Sequence, residues 1–222
     1  MTMIKICDVR TPEVGSYCAV LGVDMIGLHC IWDIPAPEKL VVLKAIREKT
    51  RQQCQCVLVT RQTDILKVLD IAGGIDWNYI QLHAEWGPGR IIQLRKELKE
   101  RGLQPALIGV VEASLSSVEK LKEIAEVTDI LLIDSSICGG SGKTAATLDM
   151  DKAVSIAGSK PFIIAGGLRA ENVGWWIEEY HPWGVDVQSG VEDPGGGRNK
   201  NPVLIREFVE AVRCRQRDVN QE

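Results

Sequence analysis

No apolar run in the 222 residues is long enough to cross a membrane, so the surroundings expected for this chain are aqueous. Positive charge is not in excess. The formal net charge is -4, which gives no broad basic field and argues against nucleic acid as a bulk partner, although not against a small phosphate held by backbone N–H groups. A secretory signal is lacking, and the seven cysteines are odd in number and mostly sit in apolar contexts, so reduced thiols in a cytoplasmic protein are expected. Cys54 and Cys56 alternate along one strand-like run with no matched Cys or His pair nearby, so no zinc site is expected. The first strand-like run carries no G-x-G-x-x-G turn, which removes the strongest ground for a dinucleotide domain. The glycines at 139, 140 and 142 fail the nucleotide-binding G-x-x-x-x-G-K-[ST] spacing because Ile137 stands at the first glycine position, so an ATPase is a poor assignment. No linker or low-complexity segment divides the chain, and one domain over 1–222 is expected.

Eight short apolar runs alternate with eight helical patterns. The runs fall at Met3–Cys7, Met25–Leu28, Cys56–Val59, Tyr79–Leu82, Leu107–Val110, Ile130–Asp134, Phe162–Ala165 and Val185–Gln188. They are almost continuously apolar, as a parallel sheet covered by helices demands. Pro12, Pro37 and Pro202 suit first helical positions, Ser116 with Glu119 suits a capping box, and Gly102 suits a helix end. A last helix is expected over Pro202–Arg213, with residues 216–222 as a frayed tail. Eight β-then-α units in a chain of this length specify a (β/α)8 barrel, with an open doubly wound sheet as the other architecture.

Barrels of this kind carry their chemistry at the C-terminal ends of the strands. Cys7 and Asp134 both fall there. A thiol of lowered pKa accepts a proton from carbon, and a carboxyl group across the mouth donates one to oxygen. Gly166, Gly167, Ser189 and Gly190 follow the seventh and eighth strands, whose turns offer N–H groups to phosphate. Gly140, Ser141 and Gly142 permit close backbone approach to a ligand, with Lys143 adding charge. His29 and His83 follow strands and can face the pocket, whereas His181 reads as a helix-end surface residue. Asp8, Arg10, Arg61 and Glu85 are polar groups just past strand ends. Trp176 and Trp183 are candidates for exposure, and the chain is expected to be a monomer or a homodimer.

Taken in order, KIC at 5–7, QLH at 81–83, LID at 132–134 with GGSGKT at 139–144, AGGL at 165–168 with NV at 172–173, and GVDVQSGVE at 184–192 resemble the motifs of phosphoribosylanthranilate isomerase, of tryptophan biosynthesis. The resemblance covers nearly the whole chain. It implies an Amadori rearrangement of an N-linked 5-phosphoribosyl amine to a 1-amino-1-deoxyribulose 5-phosphate, with no metal or organic cofactor. It also implies Asp134 as the general acid at the ring oxygen, Cys7 as the base at C2, phosphate near Gly140–Gly142, Gly166, Gly167, Ser189 and Gly190, and Lys5 as part of the substrate-binding motif.

The departures from the family all touch the barrel mouth. After its second strand the family carries an aromatic-rich loop ending in S-P-R, whose arginine meets the anthranilate carboxylate. The segment over 27–39 is shorter here and has no arginine. Asp8 stands where the family has glycine, Thr60–Gln62 replaces a valine-asparagine pattern, and Ala84 replaces glycine after His83. Two substrates are therefore expected: a phosphoribosyl amine with a different aglycone, for which His29 and Asp33 suit an amine or hydroxyl substituent, or phosphoribosylanthranilate with Arg61 or Arg10 in place of the missing arginine. A sugar-phosphate lyase or epimerase, and a non-catalytic phosphate-binding barrel, are the other classes.

Overall fold

The computed structural model describes residues 1–31, 33, 35–112, 117–135 and 145–219. Eight parallel strands, β1 (Met3–Ile6), β2 (Met25–His29), β3 (Gln55–Thr60), β4 (Tyr79–Leu82), β5 (Ala106–Glu112), β6 (Ile130–Asp134), β7 (Phe162–Ala165) and β8 (Gly184–Val187), pair in sequence order. β1 pairs with β8 and closes the barrel. The helices between them are α1 (Pro12–Val20), α2 (Pro37–Thr50), α3 (Ile65–Gly73), α4 (Pro88–Glu100), α5 (Val118–Val127), α6 (Ala145–Ala157) and α7 (Ala170–Tyr180). α8 (Pro202–Val219) follows β8 and a short 3-10 turn at Ser189–Val191. The (β/α)8 expectation holds, and the open sheet is ruled out.

Strand parity explains both core and site. Side chains alternate across a strand, so every second residue faces the helices and the others face the barrel axis. Ile4, Ile6, Ile26, Leu28, Ile80, Leu82, Leu131 and Ile133 join the helices in the outer core. Cys7, Met25, Val57, Val59, Ile108, Leu132 and Ile163 form the inner one. Lys5, Cys7, His29, Gln81, His83, Asp134 and Asp186 all have the inward parity, and the last residues of that series emerge at the mouth. Gly109 faces outward, where a Cβ would meet Ile124 Cγ2 at 2.6 Å, so its lack of a side chain lets α5 lie close to the barrel.

Proline opens α1, α2 and α8 as expected, and opens α4 as well, because the N–H it lacks has no intrahelical partner there. Gly102 follows α4 at φ +73. Three expectations shift. α5 is capped by Ser117, whose Oγ accepts from Lys120 N–H at 3.1 Å, while Ser116 lies outside the described residues. α8 runs on to Val219, into the stretch expected to fray, of which 220–222 lie outside the described residues. Trp176 and Trp183 are partly buried against the two cores, whereas Trp175 is the exposed indole, edge-on to Trp176 at 4.9 Å. Consecutive helical residues point about 100° apart, so only one of the two can pack inward.

Candidate active site

A cavity of about 580 Å3 opens at the C-terminal mouth of the barrel. Cys7, just past β1, and Asp134, the last residue of β6, both line it, with β7 and β8 lying between their strands. The expected acid and base therefore face one chamber from different walls. His29, Arg61 and His83 also line it, as do Gly166, Gly167 and Ser189. Gly166 and Gly167 take φ of +93 and +64, a conformation in which residues with a Cβ are disfavoured. Asn172 pins this turn: its Oδ1 accepts from Arg169 N–H at 2.8 Å and its Nδ2 donates to the Gly167 carbonyl at 3.0 Å. Gly190 lies behind the wall. A Cβ there would stand 1.9 Å from the Leu168 carbonyl oxygen, so it is the contact that brings the turns after β7 and β8 together. Gly140, Ser141, Gly142 and Lys143 lie outside the described residues.

Four expected site residues have different places. Lys5 is fully buried beneath the cavity, where its Nζ donates to Asp186 Oδ2 at 2.7 Å; it supports the floor instead of meeting a ligand. Arg10 is turned onto Asp8, donating Nε–H and Nη2–H to one carboxylate oxygen at 3.1 and 2.7 Å, and borders an adjoining cavity with Asp8. Asp33 is exposed and pairs with Lys67 at 3.4 Å. Glu85 is exposed and pairs with Lys120. Both carboxylates belong to loops directed outward, away from the inward parity that fills the mouth.

The thiol differs from expectation in its electrostatics. Burial pushes Cys7 up to about 11, and Asp186 adds to this, against the opposing pull of the Lys5 ammonium. The resting group is a thiol, because removal from water outweighs the pull of the Lys5 and Lys200 ammonium groups. The Gly27 position on β2 is part of the same packing: a Cβ there would lie 3.0 Å from Cys7 Sγ and 3.1 Å from Lys5 Nζ.

Above the sulfur, His29 Nε2 lies 3.3 Å from Sγ, and its Nδ1 lies 3.4 Å from Asp8 Oδ1. Burial would raise the Asp8 carboxyl, but the Arg10 hydrogen bonds and the charges of His29 and Arg10 hold it below the usual range. Asp8 is 3% exposed and has φ +59, a conformation costing a non-glycine residue about 1–2 kcal/mol. Burial drives His29 down to about 4, with Asp8 opposing the shift. His83 is lowered as well, by burial first and then by Arg61.

A buried neutral histidine ties stability to pH with a definite sign. The unfolded chain protonates His29 near 6.5 and the folded one only near 4, so the unfolded state binds more protons across that window. Stability is therefore lost as pH falls from about 6.5 towards 4, by about 3 kcal/mol from His29 alone. Urea unfolding at a series of pH values should show this fall, and His29→Gln should flatten it. An unchanged slope in that variant would mean that groups other than His29 cause the fall.

Four polar residues of the cavity, Gln81, Asp186, Gln188 and Arg198, were not singled out as site residues from the sequence. Gln81 and Asp186 line it, both more than nine-tenths buried, and Gln81 Oε1 and Asp186 Oδ1 have no hydrogen-bond partner among the described residues. Buried acceptors normally find donors, so these two mark a place for hydroxyl groups. Their sequence signal was a polar residue of inward parity inside an otherwise apolar strand. Arg198, in the turn after β8, lines both this cavity and the adjoining one of about 460 Å3; its distance from any strand left no such signal.

Comparison with known proteins agrees with this geometry. Residues 33–211 match the family model described as N-(5'-phosphoribosyl)anthranilate isomerase. The N-(5'-phosphoribosyl)anthranilate isomerase of Methanosarcina acetivorans is 31% identical, over 96% of this chain and 94% of its own. That of Moorella thermoacetica is 33% identical, over 96% and 90%. Among solved structures, TrpF from Jonesia denitrificans superposes with a TM-score of 0.78 at 26% identity, covering 97% of this chain and 98% of its own. With matches of this extent on a barrel that brings thiol and carboxyl to one mouth, the chain belongs to the N-(5'-phosphoribosyl)anthranilate isomerase family of aldose–ketose isomerases.

Proposed function

We propose that this chain catalyses the Amadori rearrangement of N-(5'-phosphoribosyl)anthranilate, with Asp134 as general acid and Cys7 as general base. The observation that carries this reading is the single cavity onto which Cys7 and Asp134 both open, beside the glycine turn after β7. Asp134 gives a proton to the ring oxygen, the furanose opens, and an iminium forms between C1 and the aglycone nitrogen. Cys7 takes the C2 proton, the C–H electrons become the C1=C2 bond, and the enolamine tautomerises to the ketone. Backbone N–H groups of the turns after β7 and β8, with those over Gly140–Gly142, hold the phosphate and align C2 with the sulfur. Gln81 and Asp186 accept from ribose hydroxyls, which supplies the donors their buried oxygens lack.

The carboxylate of the aglycone goes to Arg61 in this reading. Arg61 borders the cavity at the end of β3, whereas Arg10 is turned onto Asp8 and does not line it. Arg61→Ala should raise KM for phosphoribosylanthranilate roughly 10- to 150-fold, the range for losing a charge-assisted partner of about 1.5–3 kcal/mol, with kcat changed far less. Steady-state kinetics would refute the assignment if KM stayed within about twofold. The extent of the curated relatives supports this substrate over a different aglycone, and supports an isomerase over a lyase or a non-catalytic barrel. We also take the chain to be one domain, since β1 and β8 close the same barrel, and to work in the cytoplasm with its cysteines reduced; no helix among the described residues is long and apolar enough to cross a membrane. Loss of anthranilate fluorescence on turnover of freshly made substrate tests the function, and a folded protein without turnover would sink it.

A further inference from the structure

Cys7 has company that a lone base does not need. The β2 strand is hydrogen-bonded to β1, so its inward residue His29 reaches over the sulfur, with Nε2 at 3.3 Å. On the other side of the ring, Nδ1 faces Asp8 at 3.4 Å, and Arg10 grips the second oxygen of that carboxylate. A carboxylate at Nδ1 keeps the ring proton there and leaves the Nε2 lone pair pointing at the thiol. Asp8 holds this post from a left-handed backbone conformation and almost out of reach of water, an arrangement a merely solvated aspartate would not adopt.

We propose that His29 is the proton acceptor that converts Cys7 into its reactive thiolate, and that Asp8, clasped by Arg10, is a positioning residue that fixes the His29 tautomer. This rests on the reading of Cys7 as the base and extends it. The thiol proton passes to Nε2, and the sulfur lone pair then takes the C2 proton. The C2–H electrons form the C1=C2 bond, and the iminium electrons return to nitrogen. Cys7 is left as a thiol and His29 as an imidazolium, which releases its proton to water at the cavity mouth. The enolamine takes its C1 proton from water, the C2 hydroxyl loses its own as the ketone forms, and Asp134 takes back from water the equivalent of the proton His29 released, so the proton count closes.

The need for an acceptor follows from burial. The buried sulfur rests as a thiol, so it sheds its proton only as the C2–H bond breaks, to a lone pair within hydrogen-bond distance, that of His29 Nε2 at 3.3 Å. The charges around the pair favour a brief transfer. The Lys5 ammonium below the sulfur steadies the thiolate, and Asp8 steadies the imidazolium. Lys5, Lys200 and His83 oppose a lasting charge on His29, and Arg10 and Arg198 border the same side. His29 therefore gives its proton up again.

Two variants and two readouts test this. His29→Ala should lower kcat for phosphoribosylanthranilate about 100-fold or more with KM little changed, and imidazole added to the buffer should restore part of it. Asp8→Asn, which keeps the shape but frees the tautomer, should lower kcat about tenfold or more. The second readout needs no substrate: alkylation of Cys7 by iodoacetamide against pH, followed by mass spectrometry of its peptide. The wild-type protein should react at a lower pH than His29→Ala, whose profile should move up to that of an unassisted buried thiol. His29→Gln repeats both measurements in a side chain that fills the space, and thermal unfolding verifies that each variant is folded. Full kcat in a folded His29→Ala protein, or an alkylation profile identical to the wild type, would overturn the relay. A wild-type protein that fails to turn over the substrate, yet shows the His29-dependent alkylation profile, would overturn the substrate assignment and support the relay.

Discussion

Cys7→Ala is expected to lower kcat for phosphoribosylanthranilate by roughly 10³–10⁴-fold, and Asp134→Asn by roughly 10²–10⁴-fold, with KM altered much less. The two groups serve different atoms. The carboxyl from β6 must donate to oxygen for the ring to open, and the thiol from β1 must accept from carbon afterwards. Neither replaces the other, because their strands are separated along the barrel wall by β7 and β8. The phosphate grip is untouched by either substitution, so substrate still binds, and the loss belongs to the chemical steps. Stopped-flow or steady-state fluorescence on the purified variants measures it. Turnover within about tenfold of wild type in either variant would remove that residue from the mechanism.

Lys5→Met is expected to destabilise the fold by about 3–5 kcal/mol, among the largest effects open to a single substitution here. The change is nearly isosteric, so packing is kept, but Asp186 loses the ammonium that its Oδ2 accepts from at 2.7 Å, and both side chains are buried. One oxygen of that carboxylate already lacks a partner among the described residues, so little else is available to compensate. The double variant with Asp186→Asn should recover a large part of the loss, since a neutral amide avoids the uncompensated charge. Urea denaturation of the wild type and both variants decides it. A Lys5→Met protein as stable as the wild type would mean that the ion pair contributes nothing to holding the barrel floor. Activity should fall in both variants, because Asp186 borders the substrate cavity and Lys5 sits under the sulfur.

Much of this was legible in the chain because it is local. The repeating order of apolar run and amphipathic helix specifies a parallel sheet wrapped by helices, and eight such units close on themselves. Alternation along each strand then places Cys7, His29, His83 and Asp134 on the inner parity. The glycines after β7 announce a turn needing positive φ, and the structure uses them so. Helix starts were readable at Pro12, Pro37 and Pro202 for the same reason: a missing N–H has consequences within one turn.

The sequence by itself thus determined the barrel, the inward parity of its chemistry and the candidates at its mouth, since these depend on residue type and on spacing along the chain. The tertiary structure alone decided who pairs with whom. Lys5 and Asp186 lie 181 positions apart and meet because β1 closes on β8. His29 joins Cys7 and Asp8 because β2 lies beside β1, and Arg10 turns away from the substrate cavity because Asp8 takes it. The direction in which burial moves the Cys7 thiol was also settled there. Desolvation depends on every atom that excludes water from the sulfur, and those atoms come from strands all round the barrel.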